Sequence, residues 1–118
     1  MKKNLYNVID IGKPIMKTIY VDIDETICFY EEDIPLDGKK DYHKAIPNFA
    51  NIDKINKLFD EGNEIIYWTA RGSRSKIDWF DFTKKQLDSW GVKYSNLKCD
   101  KPYYDLFIED RSKRIEEI

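Results

Sequence analysis

An Asp-x-Asp-x-Thr run, Asp22-Ile23-Asp24-Glu25-Thr26, follows directly on the apolar stretch Thr18-Ile19-Tyr20-Val21. Side chains alternate along an extended backbone, so Asp22 and Asp24 can approach one locus while Ile23 points into a core. Two carboxylates held close repel each other and resist joint ionisation unless a cation or hydrogen bonds compensate, which makes Mg²⁺ the natural third member. Other apolar stretches also end in polar groups: Thr69 and Arg71 follow Glu64 to Trp68, Lys101 follows Ser95 to Cys99, and Glu109-Asp110 follows Asp105-Leu106-Phe107-Ile108. Glu109 and Asp110 would add oxygen ligands from a neighbouring strand.

These positions need elements that present them together. Thr18 to Val21 is a short β-branched and aromatic run with the look of a buried strand, and Glu64 to Thr69 repeats the pattern. Ile52, Ile55, Leu58 and Phe59 recur at helical spacing, which predicts a helix from Asn51 to Asp60 closed by Glu61-Gly62. Trp79, Phe82, Leu87 and Trp90 fall near one face of a second helix, from Ser75 to Trp90, stopped by Gly91. Trp68 reads as core. Short strands at Ser95 to Cys99 and Asp105 to Ile108 complete the alternation. The expectation is an α/β domain, a three-layer Rossmann-like parallel sheet with helices on both faces. Ligands of such sheets sit outside the carboxyl ends of the strands, where the polar residues above fall.

A chain of 118 residues has room for one compact domain. Residues 1–16 read as an N-terminal extension and 17–118 as a single core domain. Twenty basic against twenty-two acidic residues leave a net charge of −2, which gives nucleic-acid binding no bulk electrostatic support. No stretch approaches the roughly 20 apolar residues of a membrane span. Asn7 and Asp10 interrupt the opening apolar run, and no small-residue cleavage site follows, so the expected location is cytoplasmic. Cys28 and Cys99 read as reduced thiols without a catalytic role.

The set of motifs resembles the haloacid dehalogenase-like superfamily of aspartate-nucleophile phosphohydrolases. The first motif matches at Asp22 to Thr26, the second at Thr69, the third at Lys101 and the fourth at Glu109-Asp110, so the resemblance spans Lys17 to Arg111. Thr69-Ala70-Arg71-Gly72, the segment Asp41 to Pro47, and Lys101-Pro102 followed by Asp105 are similar to small phosphatases of capsular or other surface-polysaccharide synthesis. Glu25 stands where many relatives have Gly, and Glu109 where the close subfamily usually has Asp. The two dozen residues between Thr26 and Asn51 leave no room for a cap domain, only for a hairpin-like flap.

The resemblance implies a Mg²⁺-dependent phosphomonoester hydrolase. Asp22 would be the nucleophile that forms an aspartyl-phosphate, and Asp24 the general acid and then base. Thr69 and Lys101 would contact the phosphoryl group, Arg71 would contact substrate, and the metal would be held by Asp22, the Asp24 backbone carbonyl and Asp110, with Glu109 coordinating directly or through water. The expected substrate is a small phosphorylated molecule, a sugar phosphate or related precursor, bound in an open site that an oligomer partner could complete. Lone His43 keeps a substrate contact open by its place in the flap. Two other functions stay in view: a polynucleotide 3′-phosphatase, which shares the Asp-x-Asp start and the acidic strand end, and a non-catalytic phosphate-binding module.

Overall fold

The computed structural model describes residues 16–31 and 40–118. The expected extension lies outside the described residues except for Met16, whose N–H donates to the Gly62 carbonyl. Strand β1 (Thr18–Val21) takes the predicted bounds. It is followed by a two-stranded antiparallel pair, β2 (Cys28–Phe29) with β3 (Ile46–Pro47), which is the expected hairpin-like flap. Helix α1 (Phe49–Asp60) then carries the chain to β4 (Glu64–Trp68), and helix α2 (Phe80–Ser89) carries it to β5 (Asn96–Lys98).

The protein is thus α/β, with a parallel three-stranded sheet in the order β1-β4-β5. The register sets Val21 opposite Tyr67 and Tyr67 opposite Leu97, so the polar residues that follow each strand emerge at one edge. Alternation sends Ile19, Val21, Ile65, Tyr67 and Leu97 to one face, where they pack with Ile52 and Ile55 of α1 and Leu87 of α2. Asn48 caps α1 by accepting the Asn51 N–H at 3.0 Å.

Four expectations need correction. The second helix begins at Phe80 instead of Ser75, because Gly72 (φ +89°) and Lys76 (φ +65°) sit in left-handed turns that no α-helix can pass through. Its aromatics also divide: Leu87 and Trp90 face the core, whereas Trp79 and Phe82 pack edge to face with each other and against His43. Trp68 is not core. It is half-buried on the opposite sheet face, with its ring 5.4 Å from that of Tyr20.

The largest correction concerns the last predicted strand. Residues 105–108 form no strand, and Leu106 and Ile108 are 75% and 84% exposed. Among the described residues, α1 and α2 pack on the same face of the sheet. Two right-handed crossovers that move the same way along a sheet place both helices on one side, and covering the other side requires a strand beyond β1 that reverses the order. Among the described residues, no helix packs on the face carrying Tyr20 and Trp68.

Candidate active site

The chain turns sharply after β1. Thr26 and Ile27 both donate their N–H groups to the Ile23 carbonyl, and Glu25 donates to the Cys28 carbonyl at 2.9 Å. Ile23, Ile27 and Cys28 are fully buried beneath this turn and anchor it. Asp22 and Asp24 therefore reach one locus by a turn, where extended alternation had been expected. Glu25 occupies the turn with φ +64°, a left-handed conformation that glycine adopts without strain. The Glu25 carboxylate pairs with Lys40 at 3.3 Å.

The two carboxylates have different surroundings. Asp22 is partly exposed, accepts the Ile23 N–H at 2.9 Å and lies 3.7 Å from the Lys101 ammonium. The protein crowded around it raises its pKa, and the Asp24 charge adds to this, while Lys101 and the Ile23 amide pull the other way. Asp24 is closely enclosed. Arg71 holds it with a fork, Nε to Oδ2 at 3.0 Å and Nη2 to Oδ1 at 2.8 Å, and Tyr30 donates its hydroxyl to Oδ1. Burial opposes ionisation of Asp24, but the hydrogen bonds and charge of Arg71, joined by Tyr30 and Lys40, outweigh it and hold the carboxyl below its usual range.

Thr69 is buried just past β4. Its amide donates to the Lys98 carbonyl, its carbonyl accepts the Lys101 N–H, and its hydroxyl oxygen accepts the Arg71 N–H at 3.1 Å. These bonds join the second and third motifs into one edge. The Lys101 ammonium stands over the rings of Trp68 (5.6 Å) and Tyr104 (5.5 Å), a cation–π seat that faces it toward Asp22. Asp22, Asp24, Thr69 and Lys101 are thus brought together.

Arg71 joins them. It is 2% exposed, and its guanidinium is bonded to Asp24, Thr83 and Gln86 and lies on the face of Tyr42. His43 is exposed beside Asp41 and packs on Phe82, away from these groups.

Glu109 and Asp110 are not brought in. Both are exposed, with local contacts only: Glu109 accepts the Arg111 N–H at 2.8 Å, and Asp110 lies 3.9 Å from the Arg111 side chain. Among the described residues, no group of three His, Cys, Asp or Glu side chains is arranged to hold a metal ion. Mg²⁺ requires near-octahedral oxygen ligation, and only part of the expected ligand set is assembled at this edge. Of the expected ligands, Asp22 and Asp24 stand at this edge, the Asp24 carboxylate turned to Arg71, while Glu109 and Asp110 do not.

Sequence reasoning passed over Tyr30, Tyr42, Thr83 and Gln86. The last two are three residues apart on α2, a polar notch on a helix face read only for its aromatics.

No protein-family model and no curated protein matches the chain. A solved structure is similar: the crystal structure of an MCSG target from Vibrio cholerae, 25% identical, covering 86% of each chain with a TM-score of 0.71. The likeness supports the α/β fold. Among the described residues, no helix is long and apolar enough to cross a membrane.

Proposed function

We propose that the chain is a phosphomonoester hydrolase of the haloacid dehalogenase-like type without a cap domain. Asp22 is the nucleophile, and the substrate is a sugar phosphate or related precursor of polysaccharide synthesis. The observation that carries this reading is the asymmetry of the acidic pair: one carboxylate is partly exposed beside a lysine, and its neighbour is fixed by a buried arginine.

In the proposed reaction the phosphoryl group sits against Lys101, which offsets its charge, with the buried Thr69 hydroxyl at the floor of the site. An Asp22 oxygen attacks phosphorus, the bond to the leaving oxygen breaks, and Asp24 supplies the proton that oxygen needs. Water then attacks the aspartyl-phosphate, gives its proton to Asp24, and frees Asp22 and inorganic phosphate. Arg71 favours ionised Asp24, which suits the second half. A dianionic phosphate arriving beside it makes its charge costlier and favours the protonated form needed for the first half.

Mg²⁺ is the proposed cofactor. Glu109 and Asp110 would have to join Asp22 and the Asp24 carbonyl to complete its oxygen ligands. Among the described residues no further domain stands over the edge, which supports a substrate larger than bare phosphate.

Asp22→Asn is expected to lower Mg²⁺-dependent hydrolysis of an aryl phosphate by more than about 10³-fold with an unchanged circular dichroism spectrum. Wild-type protein inert with Mg²⁺ on a panel of sugar phosphates, aryl phosphates and an oligonucleotide 3′-phosphate would defeat the proposal. Activity confined to the oligonucleotide would replace the sugar-phosphate substrate with a nucleic-acid end.

A further inference from the structure

Arg71 makes an unusual investment for a residue that meets no solvent. Beyond its fork onto Asp24, Nη1 donates to Thr83 Oγ1 at 3.1 Å and to Gln86 Oε1 at 2.7 Å, both on α2. The other end of the Gln86 amide donates to the Tyr42 carbonyl at 2.9 Å, and the Tyr42 ring lies 4.6 Å from the Arg71 guanidinium carbon. Asp24 is met from its other side by the Tyr30 hydroxyl and, at 3.4 Å, by the Cys28 thiol. The carboxylate is fixed on every side that has a donor, and the arginine that fixes it is itself fixed by α2 and the flap.

A buried ion pair of this kind is weak support for stability, since well-packed apolar residues would often do as well or better. What a forked, anchored pair supplies is geometry. A misplacement of about 1 Å at a reacting group can cost on the order of 10²-fold in rate.

We propose that Arg71 is a positioning residue: held by Gln86 and Thr83, it orients the Asp24 carboxylate toward the bond that Asp22 breaks, and it does not itself contact substrate. This rests on Asp24 acting as the acid and base in the proposed hydrolysis. The placement separates two roles kinetically. A substrate-contacting arginine would weaken substrate binding when lost, whereas a positioning arginine enclosed behind Asp24 changes turnover and leaves binding alone.

The test is steady-state kinetics of Arg71→Met, Arg71→Lys and Gln86→Leu on an aryl phosphate with Mg²⁺, paired with the ¹⁵N–¹H resonance of the Arg71 side-chain Nε–H. Expected are a fall in kcat of about 10²-fold for Arg71→Met and about tenfold for Gln86→Leu, with KM held within about twofold. Arg71→Lys should recover only part of the loss, because an ammonium keeps the charge but cannot fork. The Nε–H resonance should exchange slowly in wild type, shift in Gln86→Leu and lose its protection in Asp24→Asn.

A raised KM with unchanged kcat would assign Arg71 to substrate and overturn the inference while leaving the hydrolase reading intact. Should Arg71→Met fail to fold, Gln86→Leu decides: unchanged kcat there overturns the inference. An unprotected Nε–H overturns it whatever the activity. A wild type inert on phosphomonoesters defeats the hydrolase reading and the catalytic meaning of the fork, yet leaves the fork itself measurable.

Discussion

Glu25 and Asp24 are neighbours that carry opposite local costs. Glu25 holds a left-handed backbone, worth roughly 1–2 kcal/mol of strain for a residue with a Cβ, and recovers little through an exposed pair with Lys40. Glu25→Gly should therefore unfold at the same or higher urea concentration than wild type, whereas Glu25→Val should lose roughly 1–2 kcal/mol, since a β-branched side chain fits this region worst. A Glu25→Gly variant markedly less stable than wild type would show that the Lys40 contact outweighs the backbone. Asp24 governs the acid limb. Its folded pKa lies below the ordinary carboxylate value of about 3.9, so its contribution is fully present above that value and is lost as pH falls through the depressed folded pKa. Thermal midpoints measured from neutral pH down to the acid transition should fall more steeply in wild type than in Asp24→Asn. Parallel acid limbs would show that the fork onto Arg71 does not persist in solution.

Where the elements stop is set by turns, and two glycines show how differently the same conformation can be used. Gly72 (φ +89°) and Gly91 (φ +74°) both lie in the left-handed region, but a Cβ on Gly72 would meet the Ile77 carbonyl oxygen at 2.3 Å, while one on Gly91 would meet nothing within 4 Å. Gly72→Ala should cost about 2 kcal/mol or more of unfolding free energy and Gly91→Ala about 1 kcal/mol, read from urea midpoints. Equal costs would mean that strain alone matters and that the 72–77 turn yields freely. That turn also marks the limit of what could be read from the residues alone. Strands β1, β4 and β5 and helix α1 were legible within about two residues, because their apolar periods coincide with burial. The start of α2 was not, since Ser73 to Asp78 breaks no apolar period and only its backbone shows the left-handed turn at Lys76. In the site, the edge positions of Asp22, Asp24, Thr69 and Lys101 followed from where the apolar runs end. The role of Arg71 was illegible, because the choice between facing a substrate and facing Asp24 depends on Thr83 and Gln86, which approach it through the fold and not along the chain.

Among the described residues β1 has one strand neighbour, and the apolar residues Leu106, Phe107 and Ile108 stand exposed on a segment that pairs with none of them. A free edge and an exposed apolar run of strand-forming residues are complementary liabilities in one molecule. Tyr104 links them: its ring lies 5.4 Å from Phe107 and beneath the Lys101 ammonium, which in turn stands 3.7 Å from Asp22. A cation drawn to Asp22 thus has Glu109 and Asp110 on the same stretch of chain as the tyrosine that seats Lys101. Closing that stretch onto the site would bring oxygen ligands in and remove apolar surface from water in one movement, two gains with the same sign. Hydrogen exchange followed by mass spectrometry measures this directly. Without metal, amides 105–110 should exchange at nearly the rate of unstructured chain, while those of β4, the central strand, are protected. Millimolar Mg²⁺ should slow exchange across 105–110 in wild type and not in Asp110→Asn. Exchange that Mg²⁺ leaves untouched would remove Glu109 and Asp110 from the ligand set, and protection already present without metal would mean that β1 has a partner strand in solution before any ion arrives.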